Sequence, residues 1–501
     1  MTREESGRDA NRELAQKYDT IAYAAQANAQ SHPTHLATVA TLLGLAPPDV
    51  AGARVLEVGC SDGSNLLPMA WSLPHARFVG CDISPQAIAQ ARRGAQELGL
   101  RNVDFVERDL ATLVGGAEPF DYIIAHGVYS WVPAPVRDAL LTLARGRLSR
   151  NGVLFVSLNV YPGCHVREAA WRTLHHHVDG IADPHARLDA ARAFAALLAE
   201  PQVAQTETDA FLRQEFGRIA KLADSALFHD DLAVPNEPVY FHEFAAHLAR
   251  HGLTFLAEAK LSMMTPAGLA PRMQQFVSGM DRLAREQYLD FARLRRFRQS
   301  LVCRVDTTPA DLAPEARAGR MHVAASMTLV RSAAEGKAFV DAPADINARA
   351  ARRLLEWLVR DAPRIASVEE ATAWLAREAP QDAAAARLVA ALLADACYAG
   401  SVDLYTHAPP LAFAPGERPT ASPVARWQAG RRSGLTNIRH EPMRIDDPRA
   451  LSLLTLLDGT RTRAELALAL QSALADADRG KAAQHVDTYL SQFALHGLLV
   501  A

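Results

Sequence analysis

Cysteine, lysine and long apolar runs are all scarce in this 501-residue chain. The five cysteines (Cys60, Cys81, Cys164, Cys303 and Cys397) include no Cys-x-x-Cys pair, which argues against a disulfide framework and a cysteine-built zinc site and for a reducing compartment. Only five lysines stand beside 48 arginines, which with the many alanines reads as codon bias rather than as a functional signal. No stretch of 18 uncharged apolar residues occurs, and the charged N-terminus lacks the apolar core of a signal peptide, so a soluble cytoplasmic protein without integral membrane association is expected. Charge of one sign is missing as well. Lys+Arg 53 against Asp+Glu 56 leaves a net charge of -3, without the global field that draws proteins to nucleic acid or anionic membranes. What remains is a chain 49% hydrophobic and 22% charged, which folds, and which at about 150 residues per domain has room for roughly three domains.

Between residues 54 and 158 short apolar runs alternate with amphipathic stretches, the rhythm of a parallel α/β sheet. Strands are expected at 54–58, 77–81, 103–106, 122–125 and 153–158. Ser84-Pro85 opens a helix as N-cap and first-turn proline, and Gly99 ends it. Asn151-Gly152 is expected as the tight turn before the fifth strand. A helical insertion follows over 166–235, then a helix at 241–252 and strands at 254–258 and 297–304, which complete a seven-stranded Rossmann-like sheet. Beyond it, helices near 346–360, 367–377 and 383–397 and a run at 402–405 precede a proline-rich stretch at 408–419. Thr462 to Glu465 is a capping box, and the last helix covers about 482–495. Both halves end in helix, glycine and short strand, a weak repeat of two winged-helix-like modules. The expected domains are 1–165 with 236–306, then 166–235, 307–410 and 420–501.

The chemistry is concentrated where the first strand ends. Residues 55–65 read Val-Leu-Glu-Val-Gly-Cys-Ser-Asp-Gly-Ser-Asn, a strand running into a turn whose glycines, Gly59 and Gly63, let the backbone bend sharply and approach a ligand. A dinucleotide would need Gly-x-Gly-x-x-Gly, but Ser61 and Ser64 stand at its second and third glycines, so NAD is disfavoured. A sulfonium nucleoside needs no phosphate cradle and instead calls for carboxylates at successive strand ends. Glu57 can order the loop near an ammonium group, Asp82 can accept from ribose hydroxyls, and Asp109 can accept from an adenine amine. Leu110 then offers a backbone N–H, and Ile83 an apolar face for the base.

This series resembles the class I S-adenosylmethionine-dependent methyltransferases, with Ser61 at the middle position of their Gly-x-Gly-x-Gly. Further segments, Tyr18-Asp19 with Tyr23, 32–38, 126–133, 157–165, 229–232 and 295–304, resemble bacterial methyltransferases with a methyltransferase regulatory domain and a C-terminal winged helix, among them rickettsial protein lysine methyltransferases that act on an outer membrane protein. The resemblance implies S-adenosylmethionine as cofactor, held by the acids above with Gly59, Cys60, Ser61, Gly63 and His126 and covered by Tyr18 and Tyr23. It also implies a homodimer built through the helical insertion.

The methyl acceptor should enter at the ends of the fourth and fifth strands. Tyr129, Trp131 and Tyr161 are candidate walls of an aromatic slot for an amine, with Asn159 accepting a hydrogen bond from it; packing against the insertion is the plainer alternative for Trp131 and Tyr161. His126 is read either as a base or as packing over the cofactor's methionine moiety. No metal site is expected: His175, His176 and His177 are adjacent on a helix and point apart. The arginines at 293, 295, 296 and 298 read as the wet face of a strand, and the helix opened at Thr462 is too apolar to read DNA. Three functions fit: a protein lysine methyltransferase, a small-molecule methyltransferase of the same fold, and a non-catalytic S-adenosylmethionine-binding scaffold.

Overall fold

The computed structural model describes residues 20–21, 23, 25–113, 118–201, 206–307, 314–338, 346–380, 387–431, 434–471 and 480–501. Tyr18 lies outside them. The seven expected strands form one sheet: β1 (Arg54–Val58), β2 (Arg77–Asp82), β3 (Val103–Glu107), β4 (Phe120–Ala125), β5 (Leu148–Asn159), β6 (Leu253–Glu258) and β7 (Phe297–Arg304), in the order β3-β2-β1-β4-β5-β7-β6. The first five run parallel, and β7 pairs antiparallel with both β5 and β6. The apolar runs were legible because β1, β4 and β5 are covered on both faces, as parallel sheets are.

Helix Pro85–Glu97 begins where expected, with Ser84 Oγ accepting from Ala87 N at 3.0 Å, and Gly99 follows it at φ 66°. The Asn151-Gly152 pair is not a turn before β5 but lies within it, where the register with β4 slips between Phe120 and Tyr122. A Cβ on Gly152 would stand 2.7 Å from the Asp121 carbonyl oxygen, so glycine is what lets the irregular strand close on its neighbour.

The insertion is helical, with Cys164–His177, Pro184–Ala199 and Glu207–Ile219 packed around a core of their own that includes Leu174, Leu188, Ala191 and Ile219. The segment after β7 carries a small sheet of β8 (His322–Ala325), β9 (Ala366–Ser367) and β10 (Val402–Tyr405) with helices against it. Its Val323, Leu354 and Leu404 join the same continuous core as the large sheet. Helices Pro423–Gly430, Pro448–Leu456, Arg463–Gln471 and Ala482–Leu495 close a separate C-terminal core.

The arginine run before β7 is not a wet face. Arg295 and Arg298 are 5% and 1% exposed. Arg298 donates through both Nε and Nη2 to the Asp290 carboxylate at 2.8 Å and through Nη1 to Glu258 at 2.7 Å and Glu286 at 3.1 Å. Its guanidinium also stacks over Phe241 at 4.1 Å. Both arginines turn inward because helix Arg282–Arg293 supplies Glu286 and Asp290, and β6 supplies Glu258, as the buried carboxylates that receive them. Among the described residues no helix is long and apolar enough to cross a membrane.

Candidate active site

A cavity of about 850 Å³ opens at the carboxyl ends of β1, β2, β4 and β5, where an open parallel sheet places its ligand. Glu57, Gly59, Cys60, Ser61, Asp82, Ile83, Asp109, Leu110, His126, Trp131, Asn159 and Tyr23 all line it. Gly63 stands just behind, its φ of 79° turning the chain and its missing Cβ leaving room for Phe105, which a Cβ would meet at 2.8 Å.

The glycine turn is tied to the neighbouring strand by Asp82. Its Oδ2 accepts from Ser61 N and its Oδ1 from Ser84 N, both at 2.9 Å. Ser61 adopts φ 48°, the left-handed region, so a serine keeps here the backbone shape that glycine usually provides. That conformation costs a non-glycine residue roughly 1–2 kcal/mol, which the hydrogen bond to Asp82 helps to offset.

Glu57 is 3% exposed. Its Oε1 accepts from Asn65 Nδ2 at 2.7 Å, while Oε2 is buried with no partner. Burial pushes the carboxyl up to about 8, assisted by the nearby Asp82 and Asp62. A buried carboxylate oxygen without a donor is costly, and a ligand cation is what this position lacks. The Trp131 indole N–H is likewise buried without an acceptor.

His126 is fixed by Ser157 Oγ at 2.9 Å from Nδ1, with Asn28 Nδ2 at 3.3 Å from Nε2. Ser157 Oγ also accepts from Gly127 N at 2.8 Å. Burial brings the imidazole down to about 4, so it is neutral at physiological pH and does not repel a cationic ligand. Asn159 donates from Nδ2 to Asn236 Oδ1 at 2.9 Å, which leaves its own Oδ1 as the acceptor that it can offer.

Two candidates are not brought to the cavity. Tyr129 is 2% exposed, its hydroxyl 2.8 Å from His247 Nδ1 and its ring edge-on to Phe244: the short helical turn Tyr129–Trp131 sends Trp131 toward the cavity and Tyr129 into the core. Tyr161 stacks on His165 with ring centroids 4.0 Å apart and donates to Glu168 at 2.9 Å, so it packs on the insertion helix. Of the three adjacent histidines, His177 stacks on Phe194 at 4.0 Å.

Sequence reasoning missed the more distant contributors. Asn28, Arg167, His229, Asp230, Phe297, Gln299 and Glu441 also line the cavity. His229 and Asp230 lie on a π-helical turn, Leu227–Asp231, a feature frequent at functional sites. From the C-terminal core, His440 Nε2 reaches Asn65 Oδ1 at 2.8 Å. No local pattern announces a contact across 375 positions. Elsewhere Asp138, His247 and His251 gather, for which the four-residue histidine spacing was the available signal.

The sheet order, the glycine turn and the acids at successive strand ends define a class I methyltransferase. Residues 55–152 match the methyltransferase domain family, 223–304 the predicted methyltransferase regulatory domain and 417–484 the "PKMT, C-terminal winged helix domain". The uncharacterized protein RP789 of Rickettsia prowazekii is 34% identical over 291 residues, which cover 58% of this chain and 53% of that protein. RP028 of the same organism is 31% identical over 228 residues, covering 45% of this chain and 91% of that protein. The match thus spans about half the length of RP789. The structure of PKMT2 from Rickettsia typhi in complex with AdoHcy superposes with a TM-score of 0.82 at 22% identity, covering 96% of this chain and all of that one; the likeness is one of fold. The chain belongs to the family of rickettsial-type, S-adenosylmethionine-dependent methyltransferases that carry a methyltransferase regulatory domain.

Proposed function

We propose that this chain transfers a methyl group from S-adenosylmethionine to lysine side chains of a protein substrate. The observation that carries the acceptor half of this reading is that Trp131, Phe297, Asn159 and Asp230 all line the cavity, with Asn159 and Phe297 facing each other across β5 and β7. Aromatic faces attract a methylated ammonium. Asp230, raised to about 6 by burial and the adjacent Asp231, is still ionised at neutral pH and draws the cationic form of the amine. Once the ammonium has lost a proton to bulk water, Asn159 Oδ1 accepts from an N–H of the neutral amine as it aligns.

When bound, the cofactor supplies an electrophilic methyl group that is displaced in line, a step governed by positioning. The fit of the site to it rests on Glu57 Oε2, whose missing partner an ammonium would provide. Asp82, already holding the loop, would face the ribose, and Asp109, Leu110 and Ile83 would frame the adenine. His126, kept neutral by burial, would wall the cofactor's methionine moiety without repelling its positive charge.

The same reading assigns a homodimer built through the insertion, supported by its separate core and by exposed Leu197 and Phe211, and a cytoplasmic location; sedimentation at the monomer mass would remove the dimer. For the activity itself, the protein is incubated with isotope-labelled S-adenosylmethionine and a cell lysate, followed by mass spectrometry. Methylated lysines in a protein are the expected result. Label confined to small molecules would sink the protein substrate, and no cofactor binding at all would sink the enzyme.

A further inference from the structure

Helix Ala134–Arg147 and helix Phe241–Arg250 with its C-cap His251 bring three metal-competent side chains to one point. Asp138 Oδ1 stands 2.7 Å from His247 Nε2 and 3.3 Å from His251 Nε2, and the three ligand atoms lie within 4.8 Å of one another. Zinc–ligand bonds of about 2.0–2.1 Å place neighbouring donors of a tetrahedral site roughly 3.3 Å apart. The Asp138–His251 pair already has that separation, and the His247 pair needs a slight opening. The histidine side chains are 10% and 18% exposed and the aspartate 58%, a half-open cup that leaves the fourth position to water.

Behind these contacts each ring has an outer partner that suits a metal ligand. The second nitrogen of each ring meets a hydroxyl: His247 Nδ1 meets Tyr129 at 2.8 Å, and His251 Nδ1 meets Thr142 at 3.3 Å. A hydroxyl donates to a bare ring nitrogen or accepts from a protonated one. Each ring can therefore move its proton to Nδ1 and free Nε2 for a cation without losing its outer bond, and outer partners of this kind are the rule behind metal-ligating histidines.

We propose that Asp138, His247 and His251 bind one first-row divalent cation, zinc foremost, which pins the helix of the regulatory segment to the helix after β4. Two imidazoles and a carboxylate suit zinc, which imposes no geometry of its own. Through Tyr129 the ion would also brace the Tyr129–Trp131 turn, whose Trp131 lines the cavity.

The test takes the full chain, stripped with a chelator and titrated with zinc chloride alone. One ion per chain by calorimetry, a rise in Tm, and with cobalt(II) the visible absorption of a four-coordinate site are expected. His251→Ala and Asp138→Asn should each weaken binding at least about tenfold and remove the cobalt band, and Tyr129→Phe should weaken it about 10–100-fold. His176→Ala, at an exposed histidine on the insertion, should bind as the parent does. Failure to bind one ion per chain, or binding unchanged in whichever of the His251 and Asp138 variants folds, overturns the proposal.

Discussion

Burial raises the Glu57 carboxyl from 4.5 to about 8, so near pH 7 most ligand-free molecules carry a proton on it. A cationic ligand group beside Oε2 reverses that preference and expels the proton. Calorimetry of S-adenosylmethionine binding at pH 7, in buffers of different ionisation enthalpy, should therefore reveal release approaching one proton, and Glu57→Gln should abolish the release and weaken binding about tenfold or more, a loss of about 1.4 kcal/mol. The sign for stability follows from the folded pKa lying above the unfolded one. Between pH 4.5 and about 8 the folded state binds more protons, so this group's contribution falls as pH rises, and the Gln variant lacks that slope. At this scale the acids that line the cavity were readable because each sits at or just beyond the end of an apolar run. The direction of Tyr129 was not readable, because neighbours in a short turn share a sequence but not a direction, while Tyr161 takes the packing alternative.

Strand positions were legible for a similar reason: an apolar run buried on both faces signals itself. The polarity around β7 was not legible, since Arg295 and Arg298 look solvated until the acids of helix Arg282–Arg293 are known to face them. Two arginines serve three carboxylates there, Glu258, Glu286 and Asp290, all at most 3% exposed. Arg298→Met removes one cation and strands the acids in a dry site, which costs about 3–5 kcal/mol where a buried pair is broken. Chemical denaturation of the variant should show a loss of that order; a loss below about 1 kcal/mol would mean that water reaches the cluster.

At the level of the whole chain, the C-terminal core takes part in the cofactor site. His440 bonds Asn65 Oδ1, which also accepts from Asn28 N at 2.9 Å, while Asn65 Nδ2 holds Glu57. Trp427 and Arg431 grip Glu97 on the helix after β2, the indole N–H at 2.7 Å. His440→Ala should weaken S-adenosylmethionine binding about three- to tenfold with little change in Tm, measured by titration and thermal melts; unchanged affinity would show that the contact is only structural. None of this coupling was visible in the sequence, which reveals elements and local motifs but not which distant loops meet.

The order of strands along the chain carries a consequence for synthesis. The edge of β5, apolar from Val153 to Leu158, is covered by β7 only after the helical insertion and β6 have been made. For the time that about 140 residues take to emerge, at about 5–20 residues per second, an unpaired apolar strand edge is open to other nascent chains. The insertion that completes the mature architecture thus creates a timed aggregation hazard, one that chaperones or rapid folding of the helical segment must cover.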